Sequence, residues 1–325
     1  MRVVQATGFG GPEVLKAADT PDPVAASGEV VVQVSAADVL TIDTALRRGE
    51  GREFFAVEPP YVPGTGVAGT VTSVGEGADD AWVGRRVVAL TGVTGGYAER
   101  AVIAERELVA VPDDLGLDEA AALINDGRTA LALMEATGIG PQERVLVLPG
   151  GSGLGLVLIQ LARAWGARVI AGARGAAKLD LALQSGAEAT VDYTDPDRAE
   201  RLREATGGSG VDVVFDGVGG RIGRAAFEAT ARGGRFAGYG DSSGALTEYS
   251  ADEARDRGVH VLGPEPVRIG GTDQAKRLAE QAVNQAAAGR VRPVVGQTFA
   301  LEQAAEAHTV IENRTAIGKT LLLIS

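Results

Sequence analysis

The 325-residue sequence contains no cysteine and only two histidines, His260 and His308. The first absence excludes disulfides and any cysteine-bound zinc, and two distant imidazoles without H-E-x-x-H spacing offer no starting set of metal ligands. No bound metal is therefore expected. Long apolar runs are missing too: no stretch approaches the ~20 apolar residues of a membrane span, and the opening MRVVQATGFGGPEVL lacks an apolar signal core. The expected location is the cytoplasm, with no membrane partner. Positive charge is the scarcer sign, with 31 Lys and Arg against 43 Asp and Glu and a net charge of −12. Such an acidic surface opposes a polyanion, so nucleic acid is excluded as the main partner and any nucleotide site must be a local basic patch.

What is present is a glycine-rich loop in a telling place. Residues 145–174 read VLVLPGGSGLGLVLIQLARAWGARVIAGAR. An apolar strand-type run, Val145 to Leu148, is cut by Pro149 and followed by Gly150, Gly151, Gly153 and Gly155. A helical pattern (Leu154, Leu158, Leu161, Ala162, Trp165) and a second strand, Arg168 to Gly172, complete a strand–turn–helix–strand unit of the dinucleotide-binding type. Glycines let the backbone approach a pyrophosphate, and the free amides at the helix start favour its charge. The third fingerprint position is Leu156, not Gly or Ala. After the second strand come Arg174 and Lys178, with no carboxylate before Asp180. An acid there would bind ribose hydroxyls and repel a 2′-phosphate, whereas two cations would pair with it. The expected cofactor is NADPH.

The length allows two domains. Short Val-rich segments at 28–39, 66–77, 84–92 and 96–104, joined by glycine turns, predict an irregular β-barrel-like domain without helical periodicity in the first third of the chain. From Val145 strands (145–148, 168–172, 189–193, 211–215, 234–239, 258–263) alternate with helices (153–166, 176–185, 197–205, 220–231), which predicts an α/β doubly wound parallel sheet with its ligand at the strands' carboxyl ends. A helix at about 272–289 precedes a strand-like tail, KTLLLI, expected back on the first domain. Two weaker motifs fail. GKT at 318–320 has Asn313 where a phosphate loop needs its first glycine, and Gly150 to Leu154 has Leu154 where a nucleophile elbow needs its last.

The stretches GFGGPEVL (8–15), PYVPGTGVAG (60–69), GGYAER (95–100), DEAAALINDGRTAL (118–131), PGGSGLG (149–155), TGGSGVDVVFDGVGG (206–220), YGDSSG (239–244) and ENRTAIGKTLL (312–322) together resemble the medium-chain dehydrogenase/reductase superfamily, and within it the zinc-free quinone oxidoreductase group. The resemblance covers the whole chain. It implies a GroES-like catalytic domain at 1–122, a Rossmann NADP-binding domain at 123–266 and a return to the first domain at 267–325. It implies hydride transfer from NADPH, in a cleft between the domains, to a quinone or conjugated carbonyl. Zinc-dependent relatives hold a metal with Cys and a His-Glu pair; here the matching pair is Thr65-Gly66.

Carried over residue by residue, the resemblance sets Ser152, Gly153 and Leu154 on the pyrophosphate and Lys178, Tyr193 and Arg314 around the 2′-phosphate. Thr129 stands beside the nicotinamide, with Val218, Tyr239, Gly240 and Ser242 along the nicotinamide and its ribose, and Asp43 on the floor of the cleft. Where many quinone reductases carry Asn-Pro or Asn-Phe and then Tyr, this chain has Leu40-Thr41 and Ala45. An amide and a phenol are missing, and Tyr61 is the nearest candidate general acid, a packed aromatic being the other reading. His260 and His308 read as packed or solvated. The expected partner is a small electrophilic substrate. Two other readings stay open: an enoyl-thioester or enone reductase, and an NADPH-binding structural or regulatory protein without turnover. The last sheet strand, Gly258 to Gly263, is an open apolar edge that predicts a homodimer, unless the following PEPVRIGG, with Pro264 and Pro266, shields it.

Overall fold

A computed structural model describes residues 1–51, 55–263 and 272–325. The chain divides into one unit of residues 1–125 and 271–325 and another of residues 126–270. The expected boundary at 266/267 and the PEPVRIGG segment lie outside the described residues.

The chain opens with β1 (Arg2–Ala6) and β2 (Leu15–Asp19), an antiparallel pair, then the long β3 (Glu29–Val39), helix α1 (Thr41–Arg48), β4 (Gly66–Val74), β5 (Arg86–Leu90), β6 (Arg100–Ala104) and β7 (Val109–Ala110). Helix α2 (Leu117–Thr137) carries the chain into the second unit. There β8 (Arg144–Leu148), α3 (Gly153–Ala164), β9 (Arg168–Ala173), α4 (Ala176–Gln184), β10 (Ala189–Asp192), α5 (Arg198–Ala205), β11 (Val211–Asp216), α6 (Gly220–Glu228), β12 (Thr230–Gly238), α7 (Ala251–Arg257) and β13 (His260–Leu262) follow. Helix α8 (Thr272–Ala287), β14 (Val295–Ala300), α9 (Ala304–Glu312) and β15 (Lys319–Leu323) belong to the first unit.

In the first unit the described strands order β14-β15-β3-β4-β5-β7, with β6 also on β3. Strand β3 alternates buried Val30, Val32 and Val34 toward the core, and its register shifts against β4 between Val31/Val32 and Val34/Ala36. Such bulges bend a strand and let one sheet wrap a single core. Ala279 and Val283 of α8 pack with Ala120, Ala121 and Ile124 of α2 on Leu321 of β15.

The second unit is a six-stranded sheet of order β10-β9-β8-β11-β12-β13, every pairing parallel. Near-continuous apolar strands, such as Val145–Leu148 and Val213–Phe215, suit a sheet covered on both faces. The strand order reverses between β9 and β11 around β8, and ligands bind at the carboxyl ends beside such a switch point. Phe227 of α6, Phe236 of β12 and Tyr249 lock one face, the Phe227 and Tyr249 rings stacking at 5.0 Å and the two Phe rings meeting edge-on at 5.5 Å.

Two helices escaped the sequence pattern. Helix α1 contradicts the expectation of no helix in the first third, because its buried face holds Asp43, Thr44 and Arg47 beside Leu46, so no apolar stripe marks it. Helix α7, ADEARDR, buries only Ala254; its markers are Ser250, which accepts the Glu253 N–H at 3.0 Å, and the left-handed Gly258.

Candidate functional site

In the second unit the loop after β8 is built by close backbone approach. Ser152 caps α3: its Oγ accepts the Gly155 N–H at 3.0 Å and donates to the Pro149 carbonyl at 2.9 Å. A Cβ on Gly155 would stand 2.1 Å from that carbonyl oxygen, and one on Gly151 would stand 2.6 Å from Cβ of Lys178. With Ser152 occupying the Gly155 amide, the first helical amides, Gly153 and Leu154, have no intrahelical acceptor, the arrangement that receives an anion.

Lys178 therefore packs against the glycine loop, and Arg174 stands close enough to depress its pKa further, after the larger effect of burial. Tyr193, whose N–H donates to the Ala173 carbonyl at 3.2 Å, borders the same turn; a Cβ on Gly172 would touch its ring at 3.6 Å. Arg174, Lys178 and Tyr193 thus gather at one corner, while Arg314 lies in the first unit, in a left-handed turn (φ 59°) after α9. A carboxylate does reach this corner, from β10: Asp192 accepts the Gly175 N–H at 3.1 Å, the Thr194 N–H at 2.8 Å and the Thr194 hydroxyl at 2.6 Å. Those three donors use both of its oxygens, and with Arg174 and Lys178 the corner keeps a net positive charge.

Across the switch point, the turn after β11 and the segment after β12 are laced together. Buried Asp216 accepts the Val218 and Gly219 N–H groups at 2.9 and 3.0 Å and the Thr247 hydroxyl at 2.6 Å. Ser242 N–H donates to Gly217 at 3.2 Å and Ser243 N–H to Val218 at 2.8 Å. The Tyr239 hydroxyl donates to the Leu148 carbonyl at 3.0 Å, which ties this lacing to the start of the glycine loop. Val218, Tyr239, Gly240 and Ser242 are thereby collected at the carboxyl edge of β8 and β11. Thr129 lies half-buried on α2.

In the first unit, Asp43 sits in the first turn of α1, where its Oδ2 accepts the Leu40 N–H at 2.9 Å. The same oxygen accepts the Tyr97 hydroxyl at 3.2 Å, and that hydroxyl lies 3.0 Å from Nε2 of His308 on α9. The Tyr97 and His308 rings meet edge-on, with centroids 5.7 Å apart. Sequence reasoning missed this network. Tyr97 stood in a quoted stretch without a role, and His308 read as packed or solvated; it is packed, on the buried face of α9 with Ala304 and Ala307. The glycines of PGTG and GGY were the signal: Gly64 has φ 91°, and a Cβ there would stand 2.4 Å from the Tyr97 ring. Burial, then the Asp38 charge, pushes the Asp43 carboxyl up to about 7, while burial and then Arg47 and Arg48 push His308 down to about 3. Tyr61 is half-buried, and burial and then Asp43 push its phenol up to about 12.

The position matching the His-Glu pair of zinc-dependent relatives is occupied otherwise. Thr65 Oγ1 accepts the Asn125 amide at 3.0 Å, and Gly66 offers only its N–H, donated to Asp38 at 3.1 Å. Asp38 in turn pairs with Lys319 Nζ at 3.1 Å, both side chains buried. A lysine ammonium stands among these groups, and thiolates are absent from the sequence. The donor set does not fit zinc.

Residues 153–285 match the zinc-binding dehydrogenase family and residues 26–113 the alcohol dehydrogenase GroES-like domain. Quinone oxidoreductase 1 of Escherichia coli is 32% identical over 97% of both chains, and a 2-haloacrylate reductase of a Burkholderia species is 32% identical over 91% of both. Among solved structures, an Escherichia coli quinone oxidoreductase complexed with NADPH superposes with a TM-score of 0.92 at 30% identity, over 99% of this chain and 100% of the other. An NAD-dependent alcohol dehydrogenase superposes with a TM-score of 0.89 at 32% identity, over the whole of both chains. The two units are thus a GroES-like domain and a Rossmann-like domain. The chain belongs to the quinone oxidoreductase group of the medium-chain dehydrogenase/reductase superfamily, as the resemblance implied.

Proposed function

We propose that this oxidoreductase uses NADPH to reduce a quinone or an α,β-unsaturated carbonyl compound without a metal. The observation that carries the cofactor assignment is the packing of Lys178 on Gly151 beside Arg174, where the net charge is positive and the one carboxylate is taken up by three donors. Ser152, Gly153 and Leu154 take the pyrophosphate at the start of α3. Arg174, Lys178, Tyr193 and Arg314 take the 2′-phosphate, and Thr129, Val218, Tyr239, Gly240 and Ser242 border the nicotinamide and its ribose. Bound NADPH supplies a hydride from C4 of its nicotinamide.

An acceptor already conjugated to a carbonyl needs no Lewis acid to receive a hydride, which agrees with a donor set unsuited to zinc. The relative named a 2-haloacrylate reductase supports an activated alkene within the acceptor class. Asp43, Tyr61 and Thr129 are the proposed catalytic groups. Tyr61, held above the usual phenol range, stays protonated near neutrality and keeps its proton available for donation. The catalytic unit is residues 1–125 with 271–325, and the cofactor unit is residues 126–270.

Charge-assisted contacts to a phosphate contribute roughly 1.5–3 kcal/mol each, so NADH is expected to bind at least ~10-fold more weakly than NADPH. Titration calorimetry with both cofactors measures this, and equal dissociation constants would remove the assignment. Screening NADPH oxidation against quinones, enones and enoyl thioesters then selects the acceptor; oxidation of none of them counts against turnover.

Assembly as a cytoplasmic homodimer belongs to the same proposal. β13 is the outermost strand of its sheet and pairs only with β12 among the described residues. Edge-to-edge pairing about a twofold axis would satisfy its free backbone groups. Val261→Pro removes a ladder donor and is expected to shift light scattering toward the monomer mass; a monomeric parent protein at tens of micromolar would exclude the dimer.

A further inference from the structure

Buried polar atoms are nearly always hydrogen-bonded, and those that are not call for a chemical reason. In the first unit several collect around one helix. Among the described residues, Oδ1 of Asp43, Nε and Nη1 of Arg47, Oη of Tyr61 and Nδ1 of His308 are buried with no hydrogen-bond partner, although Asp43, Arg47 and His308 are each at most 2% exposed. Two of these atoms, Asp43 Oδ1 and His308 Nδ1, belong to the two ends of a single hydrogen-bonded chain: the Asp43 carboxyl, the Tyr97 hydroxyl and His308 Nε2, with links of 3.2 and 3.0 Å.

We infer that Asp43, Tyr97 and His308 form a proton wire, which carries one proton between the Asp43 carboxyl and Nδ1 of His308. With the wire loaded, Asp43 Oδ2–H donates to Tyr97, Tyr97 Oη–H donates to His308 Nε2, and His308 holds its remaining proton on Nδ1. Discharge through the imidazole moves the Asp43 proton to the Tyr97 oxygen and the Tyr97 proton to Nε2, and passes the proton of Nδ1 to a water molecule, which carries it to solvent as hydronium. Three protons become two, and both hydrogen bonds reverse direction. Asp43 ends as carboxylate, and His308 ends neutral in its other tautomer. No step requires a persistent imidazolium.

The surroundings favour this route over a charged histidine. Facing His308 are the guanidinium groups of Arg47 and Arg48 on α1, both paired with Glu312 at the end of α9; the Arg48 link is 2.6 Å. Burial first, and then the two arginines, oppose a positive charge on the ring, so His308 changes tautomer and not charge. Facing Asp43 are Tyr61, Tyr97, Asp38 of β3 and Lys319 of β15, with Arg47 one turn further along its own helix. Burial and the Asp38 charge hold the Asp43 proton near neutrality, so the loaded and discharged forms interconvert in the working range.

The use of the wire, though not its existence, rests on the reductase reading. Adding a hydride to a conjugated acceptor leaves an anion that takes up one proton per turnover, and a wire ending at Asp43 replaces a proton drawn from that carboxyl.

The test needs neither cofactor nor substrate. His260, exposed on β13, is replaced in His260→Gln, leaving His308 as the sole imidazole. Nitrogen-15 NMR of labelled histidine is expected to show His308 passing from the Nδ1–H to the Nε2–H tautomer as pH rises through about 7, together with the Asp43 carboxyl carbon-13 shift. Tyr97→Phe is expected to abolish the exchange of tautomers. A single tautomer throughout, an imidazolium in this range, or a switch that survives Tyr97→Phe overturns the wire. In turnover, His308→Gln is expected to lower kcat at least ~10-fold with unchanged NADPH affinity; an unchanged kcat overturns the refilling role. A protein that switches tautomer yet reduces no acceptor leaves the wire standing and removes the reductase reading instead.

Discussion

Lys319→Met is expected to lower the unfolding free energy by about 3–5 kcal/mol, the usual cost of removing one partner from a buried ion pair. The ammonium of Lys319 lies 3.1 Å from Asp38 Oδ2, with side-chain exposures of 4% and 0%. Methionine keeps the length and apolar body of lysine but not its charge, so the change isolates the electrostatic loss. Asp38 would retain the N–H of Gly66 at 3.1 Å and the amide of Asn125 at 3.0 Å. Two neutral donors do not replace a cation in a dry site, so the buried carboxylate is left under-compensated. Urea denaturation of the parent and the variant measures the loss. Because the pair acts as a unit, Asp38→Asn combined with Lys319→Met should recover a large part of the loss, a coupling beyond simple additivity. A single-variant loss below about 1 kcal/mol would place the pair in the exposed class and contradict its burial.

Gly155→Ala carries the second large effect. Its Cβ would lie 2.1 Å from the Pro149 carbonyl oxygen, a backbone atom that cannot swing aside. That oxygen also accepts the Ser152 hydroxyl, so displacing it disturbs the cap of α3 as well. Overpacking of this kind costs about 1–3 kcal/mol. The larger consequence is expected in cofactor affinity, because the loop that must approach the pyrophosphate moves as a whole; at least a ~10-fold rise in the NADPH dissociation constant should follow. Gly8→Ala is the control, since a Cβ there meets nothing within 4 Å. Should Gly155→Ala bind NADPH as tightly as the parent, the glycine loop is not the pyrophosphate site.

The alternating half of the chain was legible because its signals are local. Strand runs such as Val145–Leu148 and the glycines after them state their conformation within a few residues, and helix α3 follows from its apolar spacing. Helix α1 was illegible for the opposite reason: its buried face is polar, and only tertiary contacts with Tyr97, His308 and Glu312 explain why Asp43 and Arg47 are inside. The same distance in sequence concealed the network, since Asp43 and His308 meet through a tyrosine that neither resembles nor neighbours them. Asp192 marks a subtler limit. Searching along one strand for a ribose carboxylate overlooks an acid delivered by the next strand, and only the structure shows that its oxygens are already engaged.

Strand β15 pairs with residues 36–39 of β3 and supplies the cation that Asp38 requires, yet it lies at the far end of the sequence. Translation delivers the chain in order, at about 5–20 residues per second, and domains fold as they emerge. The first 125 residues must therefore wait for the entire second unit to be synthesised before their sheet can close, an interval on the order of 10–40 s at those rates. During it, residues 36–39 of β3 lack the partner strand β15 and Asp38 lacks Lys319. The nucleotide-binding unit, contiguous from 126 to 270, carries no such debt and can be complete while its host is still open. A stalled or prematurely ended ribosome would thus release a nucleotide-binding unit that lacks Arg314, joined to a first unit whose β3 lacks its β15 partner at residues 36–39, which makes β15 the strand on which completion of the first unit depends.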